Sequence, residues 1–287
     1  MLNQWFYAHK TWQIGTVVDL TLILAALAGL YIFHRLVAWH RREEDTAMVG
    51  LSYALAGGLY AVMLAFVAAG TFETMDKSVT IASEEANSLS AMLFDSPGLG
   101  PADAGRMQAG VEQYIDVVTK KEWPSQRAYR MEAKNFEEGW AILRRISVDL
   151  ASFEPATPGQ ATVKLEIEHA INNLFTARRT RLLAATQHLP GAIWQMLIFG
   201  LAMVAVYVYL FGPHSFKIHV AVTTLTMLSI GIVFTVVIVE DYPFRGIVSV
   251  DSEAYVGVRE VAEHIFHPAG AAPSGNGEHS EGHGIER

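Results

Sequence analysis

The chain has 287 residues, of which 51% are hydrophobic and 17% are charged. This balance is too apolar for an ordinary water-soluble domain of this length and indicates a membrane protein. The net charge of -8 arises from 29 acidic and 21 basic residues, and no long run of lysine or arginine can follow a phosphate backbone, which excludes nucleic acid as a partner. Because cysteine is absent, disulfides, thiolate metal sites and iron-sulfur clusters are also excluded.

The chain opens with an aromatic segment, residues 1–16, whose composition is typical of a membrane interface. A flexible terminus is the alternative. Residues 17–70 then form the first transmembrane hairpin, with apolar spans at 17–37 and 47–70 that are long enough to cross about 30 Å of hydrocarbon as helices. Asp19 falls in the first turn of the first predicted span, where the helix dipole favours a carboxylate.

Residues 71–190 are polar, but their apolar positions recur three and four residues apart, which is the pattern of amphipathic helices. Breaks rich in proline and glycine separate these helices at 97–101, 123–124 and 155–159. The spacing predicts an antiparallel helical bundle on one side of the membrane, with its first helix continuing the second span.

The second transmembrane hairpin covers residues 191–239, with spans at 191–211 and 218–239. Residues 240–287 contain a helix exit and then a tail that loses helical periodicity after Val256 and is predicted to be disordered. The predicted fold class is therefore an all-α integral membrane protein. Four transmembrane helices form two hairpins around an inserted extramembrane helical bundle.

Basic residues in and beside the two short interhelical turns predict the orientation by the positive-inside rule. They are Arg35, Arg41, Arg42 and Lys217. The rule places these turns in the cytoplasm and the bundle outside the cell membrane. Basic residues also flank the opposite face, so the reverse orientation stays open.

The second span carries the candidate pore. Small residues on one helical face allow close helix packing in lipid, and the same helix repeated around a symmetry axis would line a pore that gates by dewetting at bulky side chains. The small residues are Gly57, Gly58, Ala61 and Ala65, and the constriction residues are Tyr60, Met63 and Phe66. Helix packing without a pore is the alternative.

A basic stretch precedes the third span. Arg178, Arg179 and Arg181 are expected to form a cationic vestibule that attracts anions if several subunits meet there. Solvated side chains, or side chains that contact lipid phosphate, are the alternative.

The fourth span ends at the sequence DYPFRG, which has the features of a sharp helix exit. Pro243 disfavours helix at the preceding residue, Gly246 permits an unusual turn, and Arg245 can reach the interface. The motif residues singled out are Asp241, Pro243, Phe244, Arg245 and Gly246. The neighbouring carboxylates of Glu240 and Asp241 offer too few oxygens for calcium, so no metal site is predicted.

Sequence motifs for hydrolases, metalloproteases and nucleotide-binding enzymes do not occur, so we expect neither an enzyme nor a cofactor. No charged residue falls in the middle of a predicted span, which argues against an ion-coupled carrier.

Several segments, in order along the chain, resemble the bestrophin-like family of bacterial and plant membrane proteins (domain of unknown function 4239). The second span contains GLYAVMLAFV at 58–67, followed by EEANSL at 84–89, YIDVV at 114–118 and EWP at 122–124. RRTR at 178–181, PGAIW at 190–194 and DYPFRG at 241–246 complete the resemblance, which covers roughly residues 49–250.

The resemblance implies a relation to bestrophins, which are homopentameric anion channels whose second span lines a hydrophobic neck. The Arg-Trp-Trp that follows the shared Gly-x-Tyr in bestrophins is replaced here by Gly70, Thr71 and Phe72. We therefore expect a homo-oligomeric, anion-permeable channel in the lipid bilayer of a bacterial inner membrane. The alternative is a non-catalytic structural or accessory subunit that associates with other membrane subunits.

Overall fold

The computed structural model describes residues 9–37, 46–211 and 215–266. Within these ranges the secondary structure is helical, without strands. Residues 1–8 of the aromatic N-terminus, most of both short turns and the histidine-containing tail from residue 267 lie outside the described residues.

The helices, in chain order, are α1 Thr11–Leu36, α2 Thr46–Asp95, α3 Pro101–Val117, α4 Trp123–Arg127, α5 Glu137–Ser152, α6 Pro158–Ala184, α7 Gly191–Leu210, α8 Phe216–Glu240 and α9 Glu253–Phe266. Four of them, α1, α2, α7 and α8, are long and apolar enough to cross a membrane. The prediction of an all-helical chain with four membrane spans is confirmed.

The spans do not pack chiefly with their neighbours in sequence. Helix α1 packs mainly on α8, while α2 packs on α7 and α8. Gly15 of α1 lies against Thr235 of α8, and the Tyr209 hydroxyl of α7 donates to the carbonyl of Ala26. The four spans thus form one group in which contacts between the hairpins exceed those within each hairpin.

The placement of Asp19 corrects the expectation of a first-turn residue. Helix α1 begins at Thr11, so Asp19 lies beyond its second turn and its carboxylate faces Gly231 of α8. One carboxylate oxygen is buried and makes no hydrogen bond within the described part of the chain. A Cβ at position 231 would collide with this oxygen, so a larger residue there would force the Asp19 side chain to move.

Helix α2 runs without interruption from the membrane into the bundle, as predicted. At 1.5 Å per residue its 50 residues extend about 75 Å, which is more than twice the thickness of the hydrocarbon. Its extramembrane half packs on α6 and α9 through a buried stripe that includes Ala82, Ala86, Leu89 and Leu93. The bundle is therefore rigidly continuous with the second span.

Two of the three predicted breaks, at 97–101 and 155–159, separate helices of the bundle. The third, at 123–124, is wrong: the chain stays helical through a π-turn up to residue 127, and the break follows at residues 128–136. Residues 96–99 form a 3-10 turn, Gly100 has a φ of +108°, and Pro101 begins α3. At the last break, Thr157 caps α6 by accepting the backbone N–H of Gln160 at 3.2 Å. Proline and glycine act here as local signals for helix ends because they restrict or widen the backbone angles.

The segment after α8 differs from the predicted disordered tail. Residues 253–266 form helix α9, which buries Tyr255, Val258 and Ala262 against α2 and α3. These positions are spaced three and four residues apart, so the helical pattern continues beyond Val256. The apolar pattern of α9 is too short to predict a stable helix without the helices that pack against it.

Candidate functional site

The uncovered face of α2 is the candidate functional surface. Within the membrane it carries apolar side chains at Leu55, Leu59, Val62 and Phe66, all well exposed in the single chain. Their spacing of four, three and four residues places them on one side of the helix. Such an apolar face can contact lipid, pack on another subunit or line a narrow pore.

Of the three predicted constriction residues, Phe66 lies on this face, and Tyr60 and Met63 do not. Phe66 is 74% exposed, whereas Tyr60 is 7% exposed and its hydroxyl donates to the carbonyl of Leu197 at 3.0 Å. Met63 is half-buried and packs in the membrane core. The expectation that Tyr60 narrows a pore is corrected because its ring packs against Gly200 of α7, between the spans.

The small residues of α2 lie beside the exposed apolar row. Gly58, Ala61 and Ala65 are exposed, and Gly57 is half-buried next to the ring of Tyr53. Together they line a groove of about 420 Å³ whose other wall comes from α7 and α8. A second helix can approach closely there because no bulky side chain projects from this face.

Beyond the membrane the exposed face of α2 becomes polar. Glu73, Asp76 and Glu84 are exposed, and Lys77 pairs with Glu73 at 2.6 Å. The face therefore changes from apolar to mainly acidic along one continuous helix.

The arginines before the third span are placed differently from the prediction. Arg178 and Arg181 of α6 have no exposed surface, and only Arg179 faces outward. A spacing of three residues places Arg178 and Arg181 on the same helical face, toward the bundle core. Their predicted role in an open cationic vestibule is wrong because neither guanidinium reaches water.

Two buried carboxylates pair with these arginines. Arg178 Nη2 lies 2.6 Å from Glu122 Oε1, and Arg181 Nε lies 2.7 Å from Glu85 Oε2. Arg181 Nη2 also lies 3.0 Å from Glu122 Oε2. The pairs compensate two positive with two negative charges, which is the arrangement that buried ions require.

Neighbouring side chains complete this network. The Tyr114 hydroxyl donates to Glu85 and accepts from Arg178 Nη1, while Arg181 Nη1 donates to Gln126 at 2.9 Å. The guanidinium of Arg178 stacks over Trp140 at 4.7 Å, and that of Arg181 over Trp123 at 5.1 Å. We call the group Glu85, Tyr114, Glu122, Gln126, Arg178 and Arg181 the buried ionic network.

Local backbone geometry brings Glu122 into the network. Residues 118–122 form a π-helical turn between α3 and α4, and Glu122 at its end is fully buried. A π-turn inserts an extra residue into the helix and so rotates the following side chains. The sequence offers one signal for the network, because Glu85 interrupts the otherwise apolar stripe of Ala82, Ala86 and Leu89.

Burial and neighbouring charges both shift the pKa values of Arg181 and Tyr114 in the network. Burial disfavours the charged form of Arg181, but Glu85 and Glu122 hold its pKa well above the usual value. For Tyr114, burial and the nearby Glu85 carboxylate together raise the pKa, so the hydroxyl stays protonated as a donor. Arg181 therefore keeps its positive charge, and Tyr114 keeps its proton.

The exit motif after α8 anchors the fourth span to the bundle. Phe244 is buried against Trp123, and the indole N–H of Trp123 donates to the carbonyl of Val250 at 3.0 Å. Gly246 has a φ of +88° and its N–H donates to the carbonyl of Arg127 at 3.2 Å. Pro243 follows the end of α8 as predicted, so the chain turns sharply at this point.

Arg245 does not extend to the interface as expected but lies almost buried between two aromatic rings. Its guanidinium is 4.9 Å from the ring centre of Tyr129 and 5.3 Å from that of Tyr242. Asp241 accepts the backbone N–H of Leu189 at 2.6 Å, which joins the end of α8 to the start of α7. Burial raises the pKa of Asp241, and the Leu189 N–H acts against that rise.

Among the described residues, no group of three or more histidine and acidic side chains is arranged to hold a metal ion. Glu240 and Asp241 remain a pair of neighbouring carboxylates at the end of α8.

Comparison with known proteins places these features in a family. The bestrophin-like domain family matches residues 20–255, which is most of the chain. No curated protein matches.

Solved structures share the fold. A single-substitution variant of a bacterial bestrophin homologue from Klebsiella pneumoniae superposes with a TM-score of 0.60 at 12% identity, covering 88% of this chain and 98% of that one. A membrane protein variant follows with a TM-score of 0.58 at 10% identity, covering 88% and 97%. Another variant of the Klebsiella pneumoniae homologue has a TM-score of 0.55 at 10% identity, with the same coverage of 88% and 97%.

Proposed function

Because the chain belongs to the bestrophin-like family, we propose that this integral membrane protein forms a homo-oligomeric channel whose pore is lined by α2. The observation that carries the proposal is the uncovered face of α2, which is apolar in the membrane and polar beyond it. Several copies arranged around an axis would remove this face from lipid and enclose a narrow passage. The small-residue groove beside it would receive the neighbouring copy.

We place the hydrophobic constriction at Leu55, Val62 and Phe66. These side chains are exposed and share one side of α2. A ring of such side chains excludes water below a certain diameter, and this dewetting closes the pore without any charged gate. Met63 flanks the constriction from a half-buried position, and Tyr60 supports it by bonding α2 to α7.

Anion permeability is the finer proposal, supported by the resemblance to bestrophins and by the exposed Arg179. Glu73, Asp76 and Glu84 on the uncovered face act in the opposite direction, because carboxylates repel anions from a pore mouth. The reversal potential in a salt gradient therefore decides the ion selectivity. For topology we keep the prediction that the short turns face the cytoplasm and the bundle lies outside, in a bacterial inner membrane.

The first experiment determines the composition of the purified particle. Native mass spectrometry of the gently solubilised protein should yield a ring of identical copies. A single copy bound to foreign subunits would contradict the channel and would support an accessory subunit of a larger complex.

Conductance then tests the constriction. In planar bilayers, Phe66→Ala should raise the unitary conductance or open probability, because a smaller side chain widens a hydrophobic neck. The matched control is Ile32→Ala, which truncates an exposed apolar residue of α1 away from the α2 face. A wild-type protein that forms rings but stays silent across voltages and salts would contradict the channel.

A further inference from the structure

A polar cavity lies where the bundle meets the membrane. It encloses about 390 Å³ between α2, the loop before α7 and the end of α8. Its lining includes Thr71, Thr74, Gln187, His188, Leu189 and Asp241. The cavity is not part of the proposed pore face.

An apolar groove continues from this cavity toward the membrane centre. The groove measures about 520 Å³ and is lined by residues that include Leu59, Met63, Phe66, Gly70, Leu189 and Ile193. Leu189 borders both spaces, and Gly70 of the groove is followed directly by Thr71 of the cavity. The two spaces therefore form one elongated site that is polar at one end and apolar at the other.

The ends of the spans define the depth of this site. Pro190 immediately precedes α7 and Asp241 immediately follows α8, so the polar cavity lies at the level where both spans leave the hydrocarbon. The groove runs beside α2 and the first turn of α7, within the membrane. This is the depth profile of a phospholipid, with its headgroup at the interface and its acyl chain below.

The polar lining selects the class of headgroup. Asp241 is the acidic side chain of the cavity and is 6% exposed, while none of its described lining residues is lysine or arginine. The hydroxyls of Thr71 and Thr74 donate to backbone carbonyls of α2, both at 2.9 Å, which leaves their lone pairs as acceptors. One carboxylate and two hydroxyl oxygens suit a primary ammonium with its three N–H donors.

Donors for a phosphate are present on the same wall. The side-chain amide of Gln187 lines the cavity and can donate two hydrogen bonds. A headgroup with net negative charge and no ammonium would instead meet the Asp241 carboxylate, which is unfavourable.

We propose that this site binds one phosphatidylethanolamine molecule, with its ammonium beside Asp241, Thr71 and Thr74 and an acyl chain in the groove along α2. The groove shares Leu59, Val62 and Phe66 with the uncovered face of α2, so the acyl chain would lie along the flank of the proposed constriction.

Native mass spectrometry of the full-length protein, titrated with phosphatidylethanolamine or phosphatidylglycerol of identical acyl chains, tests the site. The wild type should prefer phosphatidylethanolamine by about tenfold, the order expected for one charge-assisted hydrogen bond. Asp241→Asn should abolish that preference. Thr74→Val, which keeps the shape of the side chain, should reduce the preference without weakening phosphatidylglycerol binding.

Gly70→Leu tests the groove independently of the headgroup. A Cβ at Gly70 meets no atom within 4 Å, so the larger side chain can fill the groove without disturbing the fold. It should weaken binding of both lipids. The matched control is Gly105→Leu, another helical glycine in open space on α3, which should leave lipid binding unchanged.

Equal binding of the two lipids by the wild type, or binding of neither, would contradict the proposed lipid site. Unchanged lipid binding in Gly70→Leu would also overturn it. None of these outcomes bears on whether the protein conducts ions.

Discussion

Arg178, Arg179 and Arg181 show how strongly position controls the role of a charged residue. The three lie within one turn of α6, but two are buried in ion pairs and only Arg179 faces outward. Removing one member of a buried ion pair leaves an uncompensated charge, whereas removing an exposed charge costs little.

We therefore expect Arg181→Met to lower the free energy of unfolding by about 3 to 5 kcal/mol, because Glu85 and Glu122 lose their shared partner. Arg179→Met, two residues away, should change it by less than about 0.5 kcal/mol. Denaturation of both purified variants in the same detergent measures the difference. Equal stability of the two variants would contradict the buried ionic network.

The packing of Asp19 on Gly231 permits a second prediction at this scale. Gly231→Ala should destabilise the protein by about 1 to 3 kcal/mol, because the added methyl must displace a buried carboxylate between α1 and α8. Gly105→Ala adds a methyl to α3 in open space, away from the α2 face, and should not destabilise the protein. Thermal unfolding followed by circular dichroism compares the two, and an unchanged melting temperature for Gly231→Ala would contradict this packing.

At the scale of elements, α9 connects the C-terminal segment to the helices that hold the buried ionic network. Tyr255 packs against Trp123 at 5.4 Å between ring centres, and Arg259 pairs with Asp116 of α3. Hydrogen bonds from Lys120, together with the charge of Arg259, lower the pKa of Asp116 below its ordinary value of 3.8. Helix α9 is therefore held by its buried apolar face and by an exposed ion pair.

The lowered pKa of Asp116 predicts a pH dependence. Because the folded-state pKa is depressed, the pair contributes stability above about pH 4 and loses it as the pH falls through the lower folded-state value. Its exposure keeps the contribution small. Hydrogen exchange of residues 253–266 should be faster in Asp116→Asn than in the wild type at pH 7, and the two should converge below pH 4. A difference that persisted at low pH would contradict the ion pair.

At the scale of the whole molecule, α2 joins a membrane face to a buried bundle in one rigid element. The bundle holds the extramembrane half of α2 through Glu85, while α7 holds the membrane half through Tyr60. The remaining face of α2 has no partner within the described chain along the row from Leu55 to Phe66. A symmetric assembly is the simplest way to cover it.

The absence of cysteine makes this assembly directly testable. Val62→Cys should form disulfide-linked dimers under mild oxidation, because copies around a narrow axis bring position 62 of neighbouring chains within disulfide reach. Ile32 is an exposed position on α1, and the Ile32→Cys variant should form no disulfide-linked dimers in the same experiment. Cross-linking at Ile32 but not at Val62 would place a different face at the axis.

The sequence by itself determined the four spans, the uninterrupted second helix and the bundle breaks at 97–101 and 155–159. These features depend on local properties, because about 20 apolar residues suffice to cross the membrane and clustered proline and glycine end a helix. The predicted break at 123–124 is absent because proline is tolerated in the first turn of a helix, where Pro124 lies. The family resemblance was likewise readable from the order of short motifs, since it requires no contact between them.

Only the tertiary structure decided which faces are covered. Tyr60 and Phe66 are six residues apart on one helix, yet α7 buries the first and leaves the second exposed. Arg178 and Arg181 stabilise the bundle because α2 brings Glu85, and a π-turn brings Glu122, to them from distant parts of the chain. Helix α9 was not predicted either. A short amphipathic segment is a stable helix only when its apolar face packs on other elements, and the sequence alone does not show that packing.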